Sequence, residues 1–201
     1  MTNEHTDELQ IGIIVGSIRE GRKGSAVGAW VAELAGERED ARFRLMELAD
    51  YDLPLLTDRT VPGGANRQYD SEQRQRWGRD IDECDAFVFV TAEYNHGVPG
   101  AFKNAFDSIG PEWSEKAIGF VSYGSVSGVR AVEQWRQIVA TFSMVDVGAQ
   151  VAISTFGEFD EQGAFTPSER RPKQLHALLD EVVGRARALR EASRRDEQET
   201  P

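Results

Sequence analysis

The sequence predicts an α/β protein, a three-layer sandwich built on a five-stranded parallel sheet. Three observations carry that prediction. Apolar runs alternate strictly with stretches of helical periodicity along the chain. The runs are nearly continuous, as in strands buried on both faces by flanking helices. The chain has 201 residues, enough for one domain with a full core and no disulfide.

Each element can be read in order. Residues 1–9 are a polar lead-in. Residues 11–15 (IGIIV) form the first strand, which stops at Gly16-Ser17. Val27, Trp30, Val31 and Leu34 then fall at i, i+3, i+4 and i+7, one apolar helical stripe. Residues 43–48 form the second strand. Arg42, Arg44 and Glu47 among its apolar residues mark it as an edge. Residues 49–69 are irregular and rich in Pro, Gly, Asp and Asn; a loop this long in a compact domain is usually functional. Asp70-Ser71 offers a cap for a second helix bearing Trp77, Ile81 and Cys84 on one side.

Residues 86–90 (AFVFV) are the most apolar strand. Pro99 suits the first position of a third helix, whose stripe is Phe102, Ala105, Phe106 and Ile109. Residues 117–123 (AIGFVSY) form the fourth strand. Val129, Val132, Trp135, Val139 and Phe142 line the fourth helix, and residues 145–153 form the last strand. Leu175, Leu178, Leu179, Val182, Ala186 and Leu189 make a closing helix. The domain thus spans residues 10–191, followed by a charged, frayed tail at 192–201. Right-handed crossovers and an edge second strand favour the order 2-1-3-4-5, the flavodoxin-like arrangement.

Composition narrows the function. Lys and Arg number 23 against 34 Asp and Glu, a net charge of −11. Nucleic-acid binding and attraction to anionic membranes both need a basic face, so both are disfavoured. No apolar run approaches the roughly 20 residues of a spanning helix. The polar, acidic start of the chain shows no secretion signal, which points to the cytoplasm. A single cysteine, Cys84, excludes an intrachain disulfide and a cysteine metal site.

In an open parallel sheet, ligands bind beyond the carboxyl ends of the strands. Three segments there stand out. Gly16 to Ser25 joins small residues and hydroxyls to Arg19, Arg22 and Lys23 at a helix N-terminus, a setting that suits phosphate. It is neither a dinucleotide fingerprint nor a Walker loop, and an ordinary solvated turn fits it equally well. Thr91 to Gly100 follows the most apolar strand; its Asn95 and Gly97 suit tight turns, and Tyr94 can lie beside a planar ring. Ser122 to Gly128 carries glycines that let backbone approach a flat ligand. Each loop alone also reads as a plain turn. Three at one sheet edge carry more weight.

Together, GSIREGR, AEYNHGVPGAFKNAFD and SYGSVSGVRA resemble the motifs of the NADPH-dependent FMN reductase family. Asp52-Leu53-Pro54-Leu55 is similar to that family's DLPL element. The resemblance runs from about residue 11 to the fourth helix. It implies a flavodoxin-like fold and noncovalent FMN. Carried over, Ser17, Arg19 and Ser25 hold the phosphate; Glu93, Tyr94 and Asn95 lie along the isoalloxazine; Ser122, Tyr123 and Gly124 border the ring or ribityl chain. Ala92, Ser125 and Val129 depart from the pattern, where the family has proline, glycine and glycine.

The resemblance further implies hydride transfer from NADPH or NADH through FMN to a quinone, azo compound, metal oxyanion or free flavin. It implies a homodimer or homotetramer and no side-chain catalyst. An FMN-bearing electron carrier is the alternative, distinguished by the absence of direct NAD(P)H oxidation. A binding module that has lost its flavin is a third reading, countered by the intact Arg19 and Glu93-Tyr94-Asn95. Cys84 reads as a buried inert thiol and His96 as a surface residue. His5 and His176 show no metal-ligand spacing. Trp30, Trp77 and Trp135 read as core or subunit contacts, and Lys103 and Asp107 as an i, i+4 pair.

Overall fold

The computed structural model describes residues 8–199, with backbone only for 197–199. The elements are β1 (Gln10–Val15), α1 (Gly24–Gly36), β2 (Arg42–Glu47), α2 (Glu72–Asp82), β3 (Ala86–Ala92), α3 (Gly100–Asp107), β4 (Ala117–Gly124), α4 (Val129–Val139), β5 (Val145–Ser154) and α5 (Arg171–Glu199). All neighbouring strand pairs are parallel, in the order β2-β1-β3-β4-β5. The expected class and topology are therefore present.

Period-two alternation divides the sheet's side chains between two unlike cores. Ile11, Ile13, Val15, Val88 and Val90 face α1 and α5 in an aliphatic layer completed by Val27, Val31, Leu178 and Val182. Ile14, Phe87, Phe89 and Phe120 face α2, α3 and α4 in an aromatic layer. Phe89 is its hub: its ring centroid lies 4.6 Å from Phe102 and 5.2 Å from Trp135. Such pairs add about 0.5–1.5 kcal/mol each beyond area burial. Trp77 and Trp113 are also fully buried, and their indole N–H groups donate to the carbonyls of Ala105 and Phe106.

The helices meet the sheet with several departures from the sequence reading. On α1 the buried stripe is Gly24, Val27, Gly28, Val31 and Ala35, while Trp30 and Leu34 are only half-buried. The two glycines bring the helix close to the sheet: a Cβ on Gly28 would collide with Val15. Trp30 instead packs edge-on against Phe165, 5.4 Å between centroids. Ser71 caps α2 as expected, accepting from the Arg74 N–H. Pro99 is the residue before α3 rather than its first residue. On α4, Val129 is exposed and Ala131 takes its place in the buried stripe; Phe142 lies beyond the helix in a short 3-10 turn. The helix α5 does not fray after Ala192 but continues to Glu199. Leu9, assigned to the polar lead-in, is buried; residues 1–7 and 200–201 lie outside the described residues.

The 49–69 segment is irregular apart from short 3-10 turns at Leu48–Tyr51 and Pro62–Gly64. It is nevertheless clamped. Buried Arg74 bonds the Leu55 carbonyl and pairs with Asp58. Asn104 accepts from the Leu56 N–H and donates to the Pro54 carbonyl. Tyr69 donates to buried Glu112 at 2.7 Å.

Candidate functional site

The sheet delivers β1, β3 and β4 to one edge, and their three following loops meet there. Where β1 ends, the Gly16 N–H still donates to the Val90 carbonyl, 3.0 Å away. A Cβ on Gly16 would overlap the buried Phe102 ring, so only glycine lets the chain leave the sheet at this point. Ser17 follows, 1 % exposed, with its hydroxyl 2.6 Å from that of Tyr94. That bond ties the first loop to the second. Arg19 is exposed, its guanidinium 5.7 Å from the Tyr94 ring centroid. Gly21 turns the chain at φ 63°.

Lys23 precedes α1 and supplies no side-chain cap, leaving the first amides of the helix without one. Its ammonium lies 4.3 Å from the Phe159 ring centroid. Arg22 is held by Glu47 at 3.0 Å. Neither Arg19 nor Lys23 has a carboxylate partner among the described residues. The loop thus offers two uncompensated cations and a free helix N-terminus, the elements of an anion site.

In the second loop, β3 continues through Ala92, which pairs with Tyr123 in the ladder; an alanine is accommodated there by the strand itself. Tyr94 and Gly97 exchange two backbone hydrogen bonds of 3.0 Å around Asn95 (φ 48°) and His96 (φ 68°). Two consecutive left-handed residues make a tight primed hairpin turn. Glu93 lies just before it, its side chain 6 % exposed and paired with Arg130 at the start of α4. Burial opposes its charge, but the Arg130 guanidinium and backbone N–H outweigh that and hold the carboxyl below its ordinary value.

The third loop is fixed from beneath. The Ser122 hydroxyl donates to the Ser127 carbonyl at 2.7 Å and accepts from Gln150. Gly128 sits at φ 71°, and a Cβ there would lie 2.9 Å from the Tyr123 nitrogen. Ser125 and Val129 are not at positive φ, so the two departures from glycine cost no backbone strain. Tyr123 points under α1, where its hydroxyl is buried with no hydrogen-bond partner among the described residues. Burial pushes this phenol well above its ordinary pKa; Tyr94 adds to the shift and Ser17 opposes it.

These loops enclose a cleft of about 280 Å³ lined by Ser17, Arg19, Glu93, Tyr94, Tyr123 and Gly124 from the sequence-predicted set, together with Arg22, Lys23 and Thr155. Three expected residues do not line it. Ser25 is in the first turn of α1, Asn95 is exposed at the tip of the hairpin, and Ser122 is buried under its own loop. The sequence reading placed Arg22 and Lys23 in the phosphate-suited loop without giving them a contact, and missed Thr155 as a lining residue. Lys23 was visible in the basic run. Thr155, after the last strand, carries no motif and reaches the cleft because its N–H donates to the Gly124 carbonyl. Cys84 lies away from the cleft lining; burial pushes its thiol up to about 11. Lys103 and Asp107 form the expected i, i+4 pair at 2.5 Å.

The sequence pattern of the NADPH-dependent FMN reductase family matches residues 9–158. An NAD(P)H-dependent FMN reductase of a Nectria species is 34 % identical over 129 residues, 62 % of this chain and 64 % of that protein. A quinone reductase of Pseudomonas putida is 31 % identical over 142 residues, 67 % of this chain and 71 % of the relative. Among solved structures, the flavoenzyme NAD(P)H:(acceptor) oxidoreductase FerB of Paracoccus denitrificans superposes with a TM-score of 0.68 at 20 % identity, covering 90 % of this chain and 98 % of that one. That likeness speaks to the fold.

Proposed function

This chain belongs to the NADPH-dependent FMN reductase family, and from that premise we propose that it is an FMN-dependent NAD(P)H oxidoreductase. The observation that carries the reading is the cleft itself. It joins uncompensated Arg19 and Lys23 and the uncapped start of α1 to the ring of Tyr94. An anionic ligand with a flat end suits these groups, and FMN is such a ligand.

In this reading Ser17, Arg19, Lys23 and the first amides of α1 hold the phosphate, with Ser25 supporting that turn. Arg22, already bonded to Glu47, keeps the loop in place. Glu93, Tyr94, Tyr123 and Gly124, which line the cleft, would border the ring, and Asn95 would act by shaping the hairpin turn that carries Tyr94. Ser122 acts by fixing the glycine loop. FMN supplies the redox chemistry when bound: NAD(P)H gives up a hydride and, with one proton from solvent, a quinone-type acceptor leaves as the hydroquinone. The protein orients the reactants and leaves the cleft open enough for donor and acceptor to enter in turn.

Steady-state rates with NAD(P)H and a benzoquinone test this directly. Parallel double-reciprocal lines at varied donor and acceptor are expected; no turnover with quinone, azo or free-flavin acceptors contradicts it. The electron-carrier alternative is not favoured, since the family and the relatives are reductases.

We also propose a homo-oligomer. Leu55 (75 % exposed) and Ile18 (51 %) flank a second, mostly apolar cleft of about 330 Å³ beside the first loop. Sedimentation showing monomer alone would refute this. No helix among the described residues is long and apolar enough to cross a membrane. We place the activity in the cytoplasm, in keeping with the unpaired, buried Cys84 thiol; cell fractionation checks it.

A further inference from the structure

Two side chains one turn apart on α4 reach across to the hairpin that follows β3. Arg130 bonds both oxygens of Glu93, through its backbone N–H to one and its guanidinium to the other. Gln134 donates to the His96 carbonyl at 2.8 Å and accepts from the Val98 N–H at 3.3 Å. Beneath them, the Trp135 indole donates to the Thr91 hydroxyl at 3.1 Å. The helix therefore grips the hairpin before and after its left-handed residues Asn95 and His96. Its N-cap is Gly128, so the same helix also fixes the third loop. Both loops flanking the cleft are referenced to one rigid body.

The two grips differ electrically. Gln134 is neutral. Arg130 cancels the charge of a carboxylate that is nearly buried and lines the cleft. A low local dielectric lets an uncancelled charge there act strongly on any group that gains electrons nearby. We propose that Arg130 and Gln134 are positioning residues for the bound flavin, and that Arg130 additionally sets its reduction potential by neutralising Glu93. This rests on the FMN reading above. Gln134 then serves as the geometric half of the device without the electrostatic half.

The test measures FMN affinity and the midpoint potential of bound FMN in the purified protein at pH 8. Arg130→Gln is expected to weaken FMN binding roughly tenfold, the loss of a charge-assisted contact, and Gln134→Ala, whose two bonds are exposed, by a smaller factor. The potential separates the roles. Arg130→Gln exposes the Glu93 charge and moves it negative. Glu93→Gln leaves Arg130 unpaired and moves it positive. Arg130→Lys and Gln134→Ala leave it near the wild-type value. A purely structural role would move Arg130→Gln and Glu93→Gln the same way, because both break one contact. Shifts of the same sign, or none in either variant, overturn the inference while the FMN reading stands. A wild-type chain that takes up no FMN overturns the function and this inference with it.

Discussion

Replacing Gly16 by alanine tests why the first loop begins with glycine. The added methyl would fall far inside 3.0 Å of the Phe102 ring. That ring cannot turn aside. It is fully buried, with Phe89 4.6 Å and Trp135 4.8 Å away between centroids. Overpacking of this kind costs about 1–3 kcal/mol, and a rigid aromatic wall places it near the upper end. For a chain of this size, each kcal/mol lowers Tm by about 2–4 °C, so a fall of roughly 6–12 °C is expected. The backbone must shift at Gly16-Ser17, so the Ser17–Tyr94 bond and FMN affinity should suffer together. Thermal unfolding followed by far-UV circular dichroism, with FMN titration by fluorescence quenching, reads both. Gly36→Ala is the control, since nothing lies near a Cβ there. A Gly16→Ala protein melting within about 1 °C of wild type would refute the close-approach argument.

Arg19→Ala should weaken FMN binding by about 1.5–3 kcal/mol, the range for hydrogen bonds to a charged group; unchanged affinity by titration would remove Arg19 from the phosphate site. Tyr123→Phe deletes a buried hydroxyl that has no partner among the described residues. The apoprotein should therefore melt no lower than wild type in thermal unfolding; a clear loss of apoprotein stability would contradict the absence of a partner for that hydroxyl. Arg171→Met strips the partner from Glu158, a pair buried on both sides, and should cost about 3–5 kcal/mol in denaturant unfolding at pH 7. Glu158 also predicts a pH dependence. Burial opposes its charge, but Arg171 and backbone N–H groups hold its pKa below the ordinary 4.5. A depressed folded-state value gives stability that is fully present above 4.5 and lost as pH falls through the folded value. Unfolding free energies measured from pH 7 to 3 should therefore be flat at first and decline only below about 4.5, and the decline should be shallower in Glu158→Gln.

What the sequence made legible follows from the physics of each element. Strands buried on both faces must be apolar at nearly every position, so 11–15 and 86–90 stood out, and Arg42, Arg44 and Glu47 in and beside the strand read at 43–48 marked the edge. The α1 face was misread because glycine signals close approach, not hydrophobicity: Gly24 and Gly28 are buried while Trp30 and Leu34 are only half so. The charged end of α5 looked like a tail because its polar residues carry no stripe, yet the helix runs on. At the site, the loops were visible as short segments with unusual residues. Ser122 was misplaced because sequence cannot say that its hydroxyl turns inward to Ser127. The grip of Arg130 on Glu93 and of Gln134 on His96 joins residues 37 and 38 positions apart, and only the packing of α4 on β3 brings them together.

The central claim is that this cleft holds FMN and that NAD(P)H reduces it directly. Anaerobic addition of NADPH, then NADH, to the FMN-loaded protein tests it most directly, with the visible flavin spectrum as the readout. Rapid bleaching by at least one donor is the predicted result. A bound flavin that stays oxidised with both would contradict the reductase assignment, and failure to retain FMN would contradict the site.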